Sequence, residues 1–133
     1  MLKEGRILGI DYGSRRVGVA ITDPARSVIF PREILRNNEF LIADLIQMCA
    51  EESVLTVVFG VPLKIDGTDT KQSKEIRVFA EKFEKESGLQ VEYQDEAYTT
   101  FEAERMIGER KHLEKDSFSA MKILEQYLQK LKN

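Results

Sequence analysis

Apolar residues run almost unbroken through 7–10 and again through 17–21, with Asp11-Tyr12-Gly13-Ser14-Arg15-Arg16 between them. Two such runs around a glycine-bearing turn predict strands over 6–11 and 16–22, paired as an antiparallel hairpin. Residues 28–35 predict a third strand, and Pro31 inside it favours a sheet edge. Leu41, Leu45, Met48 and Cys49 then recur at helical spacing, with Asn37 or Asn38 as cap. The continuous apolar run 54–60 predicts a central parallel strand ended by Gly60-Val61-Pro62. A polar loop over 63–70 carries the turn signal Asp66-Gly67. Beyond it, Ile76, Phe79, Ala80 and Phe83 mark one face of a helix over 70–87, with Gly88 as its C-terminal cap. Residues 91–94 alternate like a strand and run into Asp95-Glu96. Thr99 with Glu102 is a capping-box signature opening a helix through Ala103, Met106 and Ile107. A polar connector over 109–115 leads to a last helix with Met121, Leu124, Leu128 and Leu131 at helical spacing.

The order β-β-β-α-β-α-β-α-α predicts an α/β fold: a mixed five-stranded sheet with helices on both faces. With 133 residues, the chain reads as a single domain over 1–133 with a core of its own. Its 42% hydrophobic and 32% charged residues describe a globular protein. No apolar run approaches a membrane span. A cytoplasmic location without membrane attachment is therefore expected. The single cysteine, Cys49, has no internal disulfide partner and reads as a small core residue. A net charge of −3 argues against strong nonspecific binding to nucleic acid, so any such function must rest on a local site.

The candidate chemistry lies in acids at strand ends and on a helix face. Asp11 closes the first strand and Glu96 the last, so both reach the crevice beyond the strand carboxyl ends if their strands run parallel. Asp116 shares a helical face with Ala120, Ile123 and Tyr127 and can reach the same crevice. Three carboxylates together repel one another unless cations neutralise them, and Mg²⁺ or Mn²⁺ suits an all-oxygen donor set. Each acid also has an ordinary role: Asp116 as a helix N-cap, Asp11 as acceptor of its own turn's N–H groups, and Asp95 and Glu96 as solvated loop charges, a role that suits Asp95 better. Arg15, Arg16 and Lys64 are candidate phosphate contacts, alongside a helix N-terminus at Thr99 and Thr100. His112, the sole histidine, lies in the polar connector, outside the acidic set.

The segments 9–20, Gly60-Val61-Pro62-Leu63 with Asp66-Gly67-Thr68, Asp95-Glu96 with Thr99-Thr100, and Asp116 with Ser119-Ala120 and Ile123-Leu124 resemble the YqgF/RuvX family, in order and over essentially the whole chain. The resemblance implies a ribonuclease H-like fold related to Holliday-junction resolvases. It also implies a metal-dependent nuclease that matures the 5′ end of pre-16S rRNA in the bacterial cytoplasm, with Asp11, Glu96 and Asp116 as catalytic metal ligands. Implied partners are structured precursor rRNA or branched DNA and ribosomal components, with the protein a monomer or weak homodimer. Ala97 stands where the family often has arginine, and the basic run before the last acid is diluted to Arg110-Lys111-His112-Leu113-Glu114-Lys115. Both departures bear on substrate affinity more than on the acidic site, and Ala97 shifts the weight of substrate contact onto Arg15 and Arg16.

Three alternatives share these features. A Holliday-junction-type DNA resolvase keeps the chemistry and changes the substrate. A non-catalytic RNA- or protein-binding module keeps the fold alone. An actin-like ATPase shares the strand-Asp-x-Gly motif, but that architecture needs two such domains and this chain supplies one.

Overall fold

The computed structural model describes residues 5–97 and 112–132, the side chains of residue 97 and of 112–117 excepted. Strands β1 (Arg6–Tyr12) and β2 (Arg16–Thr22) form the hairpin, in register from Leu8–Ile21 to Tyr12–Val17. Gly13 makes the connection feasible, because a Cβ there would lie 2.5 Å from the Arg16 carbonyl oxygen.

The third strand divides in two. β3 (Ile29–Pro31) and β4 (Leu35–Arg36) both pair antiparallel with β2. Pro31 stands opposite Ala20 with its nitrogen turned away from β2, the ladder runs one residue past it (the Arg32 N–H donates to the Val19 carbonyl at 2.8 Å), and pairing resumes at Leu35 one residue out of step. The sheet therefore has six strands rather than five, ordered β3-β2-β1-β5-β6 with short β4 also on β2. β5 (Val54–Leu63) lies parallel to β1 on one side and to β6 (Gln90–Ala97) on the other. It passes through Gly60, where the sequence predicts an end, and continues to Leu63.

Helices α1 (Leu41–Glu51) and α2 (Lys71–Ser87) cover one face of the sheet. Neither asparagine caps α1 directly. Phe40 holds the N-cap position without a side-chain bond, and Asn38 Oδ1 instead accepts the Phe40 N–H at 2.9 Å in the preceding turn. α2 starts with a reciprocal Thr70–Ser73 capping box. It stops at Gly88, whose φ of 71° is the left-handed cap expected there. Beneath these helices Leu8, Ile10, Val19, Phe59, Ile76 and Phe83 form the larger core, and Phe59 meets Phe79 and Phe83 edge-on. Cys49 is buried in that core, which pushes its thiol up to about 12.

Helix α3 (His112–Lys132) covers the opposite face. Its buried stripe is Ala120, Ile123, Leu124 and Tyr127, packed with Ile7, Ala20 and Val58. Leu131, expected in that stripe, is 45% exposed because it falls in the final turn, past the core. No helix among the described residues is long and apolar enough to cross a membrane. The helix expected over 99–107 lies outside the described residues.

Candidate active site

Strand alternation decides which side chains share a face. On β1, Leu8 and Ile10 point into the larger core, so Ile7, Gly9 and Asp11 point toward α3. On β5, Val58 and Gly60 take that side, and on β6 Gln94 and Glu96 do, since Gly60 is paired with Gln94 and Pro62 with Glu96. Asp11 stands one residue past the Ile10–Phe59 pair, at the carboxyl end of its strand. Asp11 and Glu96 thus sit on one face, on the two strands flanking β5.

Gly60 is what makes room for Glu96 beneath α3. A Cβ at residue 60 would approach Ile123 Cδ1, lie 2.8 Å from Ile123 Cγ1 and come within 3.2 Å of the Glu96 carboxyl carbon. Gly9 makes the matching seat one strand away: a Cβ there would lie 2.5 Å from Leu124 Cγ and 3.0 Å from the Ala120 carbonyl oxygen. The two glycines let α3 settle against the sheet. Neither was selected from the sequence as a site residue, although a glycine inside an apolar strand run is a signal of close approach.

The electrostatics follow from that packing. Glu96 is half-buried, and burial together with the neighbouring Asp11 charge pushes its carboxyl up to about 7. Lys122, on α3, opposes the shift. A carboxylate held this way gains from a cation beside it. Lys122 is a contributor the sequence reading missed; its place on the helix gives the only hint. Asp95 points away from the pair and is exposed. Asp116 falls in α3, one helical turn before Ala120 on the face that meets Gly9, but its side chain lies outside the described residues. Among the described residues no three acids, histidines or cysteines form a metal-binding group.

Arg15 and Arg16 are exposed at the hairpin turn, at the same sheet end as Asp11. Lys64 is exposed in the connection after β5, and that connection is tied into a turn. The Lys64 N–H donates to the Thr68 carbonyl at 2.9 Å, and Asp66 Oδ1 accepts the Thr68 N–H and hydroxyl at 3.0 and 2.7 Å. Those Thr68 donors hold Asp66 below the usual carboxylate range. Thr99 and Thr100 lie outside the described residues.

A family model described as "RuvX: Holliday junction resolvase" matches residues 5–130. The chain belongs to the RuvX family. One relative of this RuvX chain, from Nitratidesulfovibrio vulgaris, is 33% identical over 131 residues, covering 92% of each chain. Another, from Leuconostoc mesenteroides, is 37% identical over 134 residues, covering 92% of this chain and 94% of its own. Both carry the name "Putative pre-16S rRNA nuclease". Among solved structures, Thermus thermophilus RuvC bound to a Holliday junction superposes with a TM-score of 0.57 at 10% identity, over 95% of this chain and 96% of that one. The fowlpox virus Holliday junction resolvase gives 0.54 at 14% identity, over 95% and 99%. These likenesses establish the ribonuclease H-like fold, and the family places the RuvX chain among the nuclease relatives.

Proposed function

We propose that this protein is a Mg²⁺- or Mn²⁺-dependent endonuclease that trims the 5′ end of precursor 16S rRNA, with Asp11, Glu96 and Asp116 holding the metal. The observation carrying this reading is the placement of Asp11 and Glu96 on the α3 face beside Gly60, close enough that the Asp11 charge helps keep the Glu96 proton on. An all-oxygen donor pair that repels itself fits a hard divalent cation. When bound there, such an ion polarises phosphoryl oxygens and stabilises transition-state charge by several kcal/mol. Arg15, Arg16 and Lys64 meet the phosphates of the substrate, and Thr99 and Thr100 lie next in chain order to the Glu96 strand. The choice of RNA is supported by the names of relatives 33% and 37% identical over most of the chain. The reading entails a cytoplasmic protein working on ribosomal precursors as a monomer or weak homodimer.

The test is cleavage of a 5′-extended 16S rRNA fragment, run beside a four-way DNA junction, with Mg²⁺ or Mn²⁺. Asp11→Asn should lose roughly a hundredfold or more in rate, at about 1.36 kcal/mol per decade, while its melting midpoint stays near wild type. Undiminished cleavage by Asp11→Asn would remove the acidic site from the chemistry. Preference for the junction would replace the substrate with branched DNA, in keeping with the description of the family model.

A further inference from the structure

Beside the acids, the sheet sets two arginines directly opposite each other. β2 and β4 pair so that Arg16 faces Arg36, with Val17 facing Leu35. Val17 is in the larger core and Leu35 packs against it, so both arginines project to the other side, the side of Asp11 and Glu96. Directly opposed residues on antiparallel strands have Cβ atoms about 5 Å apart, and like charges there are destabilising. The arrangement is nevertheless braced. Asn37, the residue after Arg36, donates its backbone N–H to the Arg15 carbonyl at 2.9 Å and its side-chain amide to the Gly13 carbonyl at 2.7 Å. The register shifts between Arg32 and Leu35, so β4 consists of little more than the residues that carry this pair.

The position matters as much as the pairing. Asp11 is paired with Gly18, which puts Arg16 on the diagonal of the same face. Diagonal neighbours across two antiparallel strands are separated by only roughly 7–8 Å. Across the carboxyl end of the sheet the order is therefore Arg36, Arg16, Asp11, Gly60, Glu96. Neighbouring strands lie about 5 Å apart. Two cations adjoin two acids in one row.

We infer that Arg16 and Arg36 together clamp one backbone phosphate of the substrate, next along the strand from the phosphate held at the acids. Guanidinium groups suit this because their forked donors meet phosphate oxygens in pairs. The bound phosphate also offsets the like-charge repulsion between the two guanidiniums. Arg36 becomes a binding residue and Asn37 a positioning residue for it. The inference rests on the nuclease reading for its substrate, but the clamp itself is defined by phosphate chemistry.

Binding of a 5′-extended 16S rRNA fragment, measured in EDTA so that no cutting intervenes, tests it over a range of salt. Arg36→Gln should weaken binding roughly tenfold. It should also reduce the slope of log affinity against log salt by about 0.7–0.9, the mark of one phosphate contact. Arg16→Gln should do the same, and the double variant should lose no more slope than either single one, because the phosphate is shared. Lys82→Gln, an exposed charge on α2 across the sheet, should change neither quantity. Slope and affinity unchanged in Arg36→Gln, or a double variant losing twice the slope, would overturn the clamp while leaving cleavage by the acids untouched. Wild-type protein that binds with the expected slope yet never cuts with any divalent ion would overturn the nuclease reading and leave the clamp in place. Absence of RNA binding by wild type in EDTA would overturn the clamp, while cleavage with Mg²⁺ or Mn²⁺ decides the nuclease reading separately.

Discussion

The two faces of this sheet are built on opposite principles. Under α1 and α2 the strands present Leu8, Ile10, Val19 and Phe59, large groups that interlock with Ile76 and Phe83. Under α3 they present Ile7, Gly9, Ala20, Val58 and Gly60, and the helix answers with Ile123, Leu124 and Tyr127 around Ala120. The first face holds volume. The second gives up strand volume at Gly9 and Gly60, and that space is taken by Leu124 and Ile123 of the helix, with the Glu96 carboxyl beside Gly60. A single sheet can thus carry its larger core on one side and a repelling pair of acids beside a smaller core on the other, with most of the apolar burial that offsets the repulsion lying across the sheet.

If the division is real, damage to the first face should read out as stability alone. Phe83 is fully buried, with its ring against Phe59. Phe83→Ala should therefore cost about 3–5 kcal/mol in urea unfolding, with cleavage per folded molecule unchanged. Damage to the second face should affect both properties. Gly60→Ala drives a methyl group toward Ile123 and Glu96. That overpacking should cost about 1–3 kcal/mol and lower cleavage through displacement of the carboxylate. Adding Ile123→Val, which takes away the nearest atom, should recover part of the stability. If Gly60→Ala leaves both stability and cleavage intact, the glycine seat is not what sets the site.

The pH response sharpens the same contrast. The Glu96 carboxyl titrates near 7 in the folded protein and at the ordinary carboxylate value once unfolded, so the folded state holds the extra proton between about 4.5 and 7. Stability from this group is therefore full below about 4.5 and is lost as pH rises through 7. Glu96→Gln should stabilise the metal-free protein at pH 8 by on the order of 2 kcal/mol and do little at pH 4, as compared by thermal melts at the two pH values. Metal affinity of the wild type should rise with pH over the same interval, because the proton and the cation compete. The smallest effect belongs to the first face. Cys49 should fail to react with an aromatic disulfide reagent at pH 8 until the protein unfolds, since burial keeps its thiol protonated.

Much of this was legible in the sequence because it rests on periodicity. The strands at 7–10, 17–21 and 54–60 announce themselves as apolar runs, and α2 is framed by Thr70 and Gly88. The family resemblance supplied the fold and the nuclease relatives. Long-range pairing is what the sequence withholds. Nothing local tells that the third strand divides after Arg32, that Arg36 lands opposite Arg16, or that Gly60 is a seat rather than a stop. Each depends on register or on a helix far along the chain. Lys122 belongs with them: only docking of α3 brings it to Glu96.

The seat at Gly9 is completed by Leu124, close to the other end of the chain. The first strand therefore carries a recess that its own half of the protein cannot fill. A chain that stops after β6 and before α3 possesses Asp11 and Glu96 but lacks the helix that closes over them, so the acids and their cover are joined by one of the longest loop closures the fold contains. Assembly of this site is in effect a check on completeness: a truncated product retains two of the acids and none of the cover that gives them their surroundings.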